Sequence, residues 1–123
     1  VAAVDLELAE RFRAALEAAV RTGDREGVYE LLAPDVHWVT PQRTLHGLDE
    51  MKENWTWGSS ADTFDYEFEE GGWVDQGDDR VACEVKEVFR MKNTGEFAYR
   101  RAVNVELTIR NGRIDRYELR VVG

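Results

Sequence analysis

Glu87 and Arg101 are the residues whose types and placement could do chemistry. They stand either side of the turn-forming run NTG at 93–95, inside the segment EVFRMKNTGEFAYRR at 87–101. With the turn centred on Thr94, Lys92 faces Glu96, and Phe89 with Tyr99, Glu87 with Arg101 and Val85 with Val103 become cross-strand pairs that share a face. That register gathers Val81, Cys83, Val85, Phe89 and Met91 with Phe97, Tyr99, Val103, Val105 and Leu107 on one side. Glu84, Lys86, Arg90, Arg100, Asn104 and Glu106 fall on the other. The alternation is clean except at Glu87 and Arg101, which it assigns to the apolar face.

A bidentate arginine–carboxylate pair is the usual form in which such charges survive burial. Its desolvation cost can exceed its Coulombic gain, so stability alone is a weak reason to keep one there. Two readings stay open. The pair is a satisfied ion pair that fixes strand register or lies at the wet rim of the sheet where burial is incomplete, or it is the polar floor of an apolar pocket. In the second, Glu87 acts as base, acid or hydrogen-bond acceptor, and Arg101 holds it ionised or binds an anionic ligand group.

The elements that must position this pair follow from periodicity. From Asp5 to Val20, Leu8, Phe12, Ala15, Leu16 and Ala19 recur at steps of three and four, one face of an amphipathic helix that Gly23 ends. Asp24 caps a short second helix carrying Val28, Leu31 and Leu32, and APD at 33–35 stops it. VHWVT at 36–40 reads as a short edge strand closed by Pro41, followed by a loop or brief strand. A third helix places Leu48, Met51 and Trp55 on one face and stops at Gly58.

Four strand-like segments follow, at 63–74, 79–92, 96–109 and 113–122, separated by DQGDD, NTG and RNG. Helices first and antiparallel strands second is an α+β pattern. In the last hairpin, a three-residue RNG turn with Gly112 in a left-handed bulge brings Tyr117 and Leu119 to the apolar face. A plain two-residue Asn-Gly turn would instead put Glu118 and Arg120 there.

The 123 residues fit one domain, 1–123, with one core. No apolar run is long enough to cross a bilayer, and no charged segment followed by an apolar one marks a leader, so the expectation is a cytoplasmic protein that does not meet membrane. The lone Cys83 lies in an apolar strand and suits a reducing compartment. A formal net charge of −9 disfavours nucleic acid, whose partners concentrate Lys and Arg on one face.

His37 alternates outward beside the inward-facing Trp38 and Thr40, and His46 is placed at a pocket rim. Two histidines without carboxylates at ligand spacing do not make a metal site, and no glycine loop for phosphates is present, so neither metal nor cofactor is expected. Trp38, Thr40, Trp55, Tyr99 and Tyr117 are the residues expected to line a pocket. The acidic run DTFDYEFEE at 62–70 alternates Phe64, Tyr66 and Phe68 against a solvated charged face.

The order of helix, RTGD at 21–24, short helix, LLAPDVHWVTP at 31–41, LHGLDEM at 45–51 and four strands ending through NGRI at 111–114 resembles the nuclear transport factor 2-like superfamily. It looks most like the SnoaL-like and ketosteroid-isomerase-like members. The resemblance implies a curved antiparallel sheet wrapped round three helices, a cone with a largely apolar pocket, and a homodimer. It also implies a small apolar carbonyl- or hydroxyl-bearing ligand, with isomerase, dehydratase or cyclase chemistry or simple binding as the alternatives.

Ketosteroid isomerases carry an aspartate base where this chain has Thr40, a tyrosine where it has Leu16 and an acid near Val105, so steroid isomerisation by that route is not expected. Limonene epoxide hydrolases would place an arginine and two aspartates on Val85, Glu87 and the vicinity of Leu119. Of these only Glu87 matches in kind.

Overall fold

The computed structural model describes residues 2–55 and 64–123. The element order is α1 (Ala2–Thr22), α2 (Glu26–Tyr29), β1 (Leu32–Val39), β2 (Thr44–His46), α3 (Leu48–Asn54), β3 (Phe64–Gly77), β4 (Arg80–Met91), β5 (Phe97–Arg110) and β6 (Arg113–Val121). The strands form one curled sheet in the order β2-β1-β6-β5-β4-β3, with the helices on its concave side. This is the α+β roll expected from the sequence.

One pair departs from the antiparallel expectation. β1 runs parallel to β6, and β2, not β1, is the edge strand. Tight turns force antiparallel pairing only between consecutive strands, and β1 meets β6 after the whole chain has intervened. β1 also starts earlier than expected. It takes in Pro34, and its pairing with β6 is irregular between Leu32 and His37.

α1 buries Leu8, Ala9, Phe12, Leu16 and Ala19 against the sheet, and Gly23, at φ +80°, donates its N–H to the Ala19 carbonyl at 2.9 Å to close the helix. Arg25, not Asp24, is the N-cap of α2 and makes no side-chain capping bond; Asp24 stands one residue earlier, where its Oδ1 accepts the Glu26 N–H at 3.1 Å in a local turn. At the end of α3, Arg25 and Arg43 donate to the carbonyls of Trp55 and Asn54. Cationic donors there satisfy carbonyls left without helical partners. The expected stop at Gly58, and Trp57 with it, lie outside the described residues.

Both hairpins next to the site reach their register by a route the sequence does not advertise. Met91 N–H donates to the Glu96 carbonyl at 2.7 Å, so the β4–β5 loop is the four residues Lys92–Gly95, not a turn pairing Lys92 with Glu96. Arg90 then faces Phe97, and a bulge at Ala98 restores Phe89 opposite Tyr99. Phe97 is thereby sent to the outer face, 51% exposed beside Arg100, against the expectation that it faces inward.

The β5–β6 turn is the plain Asn111-Gly112 pair, both at positive φ, with Arg110 opposite Arg113. Ile109 faces Ile114 and Thr108 faces Arg116, so the extra residue is Asp115. The bulge lies after the turn and not at Gly112. Tyr117 and Leu119 still reach the inner face, opposite Leu107 and Val105.

Candidate functional site

Glu87 and Arg101 are direct cross-strand partners on the concave face, as the alternation requires. Their geometry is not the bidentate one expected. Arg101 donates through Nε to Glu87 Oε1 at 2.7 Å, and neither terminal nitrogen of the guanidinium bonds to Glu87. The arginine's side chain keeps 29% of its exposure and the glutamate's 9%. The pair therefore sits where the buried face meets solvent. Arg101 also stands 5.4 Å from the Phe89 ring centroid, and Phe89 stacks on Tyr99 at 4.4 Å.

The level of the sheet that holds the pair continues into β3, where Phe68 is the residue opposite Glu87. Over the Phe68 ring, 4.5 Å from its centroid, lies the guanidinium of Arg13 from α1, a buried residue whose Nε is 3.9 Å from Glu17 Oε1. This is a cation–π placement. Arg13 went unrecognised in the sequence, although it is four residues after Ala9 and three before Leu16, on the stripe that helical periodicity buries.

Tyr117 is the fourth polar group. Burial pushes its phenol well above the ordinary range; Arg13 pulls it back, Glu87 reinforces the rise and Arg101 opposes it. The curl of the sheet brings this β6 side chain within reach of charges on α1, β4 and β5. Such a phenol remains a neutral O–H, able to donate, and it makes no hydrogen bond to the described residues.

The expected lining residues separate into two groups. Trp38 lies flat on Tyr117, with ring centroids 3.8 Å apart and planes at 11°, and Trp55 and Phe12 pack against it at 5.0 and 6.1 Å. All four are buried. Tyr99, by contrast, is 43% exposed and belongs with Phe89 and Phe64. Thr40 joins neither group. Its hydroxyl donates to the Arg43 carbonyl at 3.0 Å and accepts the Arg43 N–H at 3.3 Å, closing the β1–β2 turn.

His46 is not at a rim of this site. It stacks on His37 at 4.1 Å, opposite it in register on the outer face. Among the described residues no group of three or more His, Cys, Asp or Glu is placed to hold a metal ion, and no helix is long and apolar enough to cross a membrane. Cys83 is buried outside any disulfide, its thiol 3.5 Å from the Glu84 carbonyl.

A groove of about 420 Å³ lies elsewhere, on the outer face, where Gly71 and Gly72 bulge out of β3 beside Glu84, Lys86 and Asn104. Gly72, at φ +88°, takes a conformation other residues avoid, and a side chain at Gly71 would press on the Glu84 carbonyl at 3.3 Å. The groove follows from that bulge. It shares no residue with the Glu87 cluster and has no aromatic wall, so we read it as a surface depression.

The profile of the SnoaL-like domain family matches residues 10–117. Among solved structures, TerC co-crystallised with polyporic acid shares 22% identity over 97% of this chain and 92% of its own, with a TM-score of 0.72. A nuclear transport factor 2-like protein from Anabaena variabilis shares 17% over 98% and 90%, with a TM-score of 0.74. A protein of ketosteroid isomerase-like fold from Catenulispora acidiphila, in complex with trimethylamine, shares 17% over 89% and 83%, with a TM-score of 0.66. None of the curated proteins compared matches the sequence.

Proposed function

Since this chain belongs to the SnoaL-like domain family, and its one irregular pair of charges lies on the concave face of the cone, we propose that it is a small-molecule-binding protein. Its ligand is an apolar compound bearing a carbonyl or hydroxyl group. The observation that carries this reading is the single-point contact between Arg101 and Glu87. A pair kept only to fix register gains most from two parallel hydrogen bonds. Here Glu87 Oε2 and the terminal nitrogens of Arg101 are left for a third party at the edge of solvent.

The ligand's polar group meets Glu87 and Arg101, its body lies against the exposed ring of Tyr99, which Phe89 backs, and the sealed cluster of Trp38, Trp55 and Tyr117 is the wall behind. Two structures of the same fold hold small organic molecules, polyporic acid in one and trimethylamine in the other. Likeness of fold does not transfer an activity, so the chemistry has to come from the residues.

Glu87 is the group able to move a proton, and general acid or base work by a positioned carboxylate contributes about 10²–10⁴-fold to a rate. A thermal-shift screen of aromatic and alicyclic ketones, alcohols and carboxylic acids tests the reading. Binding to the folded state raises Tm, and a screen in which none of these raises it overturns the proposal. With a ligand in hand, Glu87→Gln abolishes turnover while keeping binding if the site is catalytic. If the site only binds, the variant weakens binding or leaves it unchanged.

A further inference from the structure

We infer that the ligand's polar group is an anionic carboxylate, attached to a flat aromatic body. This rests on the small-molecule reading above and narrows it. The groups in reach of a ligand are unbalanced between donors and acceptors. Arg101 spends one of its five N–H groups on Glu87, and the four on its terminal nitrogens have no hydrogen-bond partner among the described residues. Beside Arg101, among the described residues, the acceptor is the carboxylate of Glu87, already engaged through Oε1.

A neutral ketone or alcohol fills few of those donors. A carboxylate offers two oxygens and about four lone-pair sites, and a guanidinium edge matches it in geometry. The edge of Arg101 turned away from Oε1 is the one available, so the incoming anion and Glu87 take different sides of the same cation. This cation is placed in a chain of formal charge −9. The aromatic preference comes from the wall beside Arg101, where Phe89 and Tyr99 stack with planes at 13° and Tyr99 stays 43% exposed. Offset stacking on such a surface favours a flat ring over an aliphatic body.

The test compares benzoate, 2-naphthoate and anthracene-2-carboxylate with their primary carboxamides, which keep shape and carbonyl but lose the charge. Binding to the full chain is followed by calorimetry at neutral pH. Hydrogen bonds to charged groups exceed neutral ones by about 1.5 kcal/mol, so the best carboxylate binds about tenfold or more tightly than its amide. Arg101→Gln brings that ratio close to one. Because it also strands Glu87, the double variant Glu87→Gln/Arg101→Gln is measured beside it and gives the same loss of discrimination in a pair without charge.

Carboxamides that bind as tightly as the acids, or a ratio that survives both variants, overturn the anionic ligand while leaving the small-molecule reading in place. If neither acids nor amides bind, both fall.

Discussion

The concave face uses its aromatic residues in two ways, and the contrast locates the site. At one end Phe12, Trp38, Trp55 and Tyr117 are stacked and closed, none more than 6% exposed. At the other, Phe64, Phe89 and Tyr99 make contacts of similar quality, yet Tyr99 stays 43% exposed. The residue types are alike. What differs is cover, since Phe12 of α1 and Trp55 at the end of α3 close the first group, while in the second Phe89 is buried and Tyr99, near the start of β5, keeps much of its exposure. Glu87 and Arg101 fall between the two, which is where a charged pair keeps part of its hydration while facing an apolar surface.

Removing the closed cluster is the strongest way to break this contrast. Trp38→Ala takes the central ring out of contacts with Phe12, Trp55 and Tyr117, and large-to-small changes of this kind cost about 3–5 kcal/mol. Urea unfolding measures it, and a cost below about 1 kcal/mol would show that this end of the cone is open like the other.

A pH series sharpens the same comparison. The phenol of Tyr117 is raised from its ordinary 10.0 in the folded chain, so folding favours the protonated form. That contribution is fully present below pH 10 and is lost as pH rises beyond it, because the unfolded chain has released the proton and the folded one has not. The slope approaches about 1.4 kcal/mol per pH unit. Tm measured from pH 8 to 11 should therefore fall more steeply in the wild type than in Tyr117→Phe. Parallel curves would mean that the hydroxyl is hydrated.

The smallest effect concerns the open end. Phe97→Ser alters a residue on the outer face and changes stability by within about 0.5 kcal/mol. A loss as large as that of a core aromatic would return Phe97 to the concave side and erase the bulge at Ala98.

Much of this arrangement was legible in the residues. The alternation of β4 against β5 gave the Glu87–Arg101 pairing, because a shift by one residue would turn every apolar side chain outward. Arg13 was harder to see, since a charged residue beside Phe12 reads as solvated until the helix stripe is followed through Ala9 and Leu16. The parallel β1–β6 contact had no local signal at all, being made by segments at opposite ends of the chain. Bulge positions were hidden for a related reason. The sequence shows which residues must face inward, whereas the residue that slips out to permit it is chosen by the fit of the whole sheet.

Those slipped residues bear on how the domain can change. Ala98 and Asp115 each lie between a hairpin tip and the strand centres. A tip of different length can be absorbed there before it disturbs Phe89, Glu87, Arg101 or Tyr117. The hairpin ends are thus insulated from the interior, and tips could diversify, or be exchanged by design, while the geometry of the inner face stays the same.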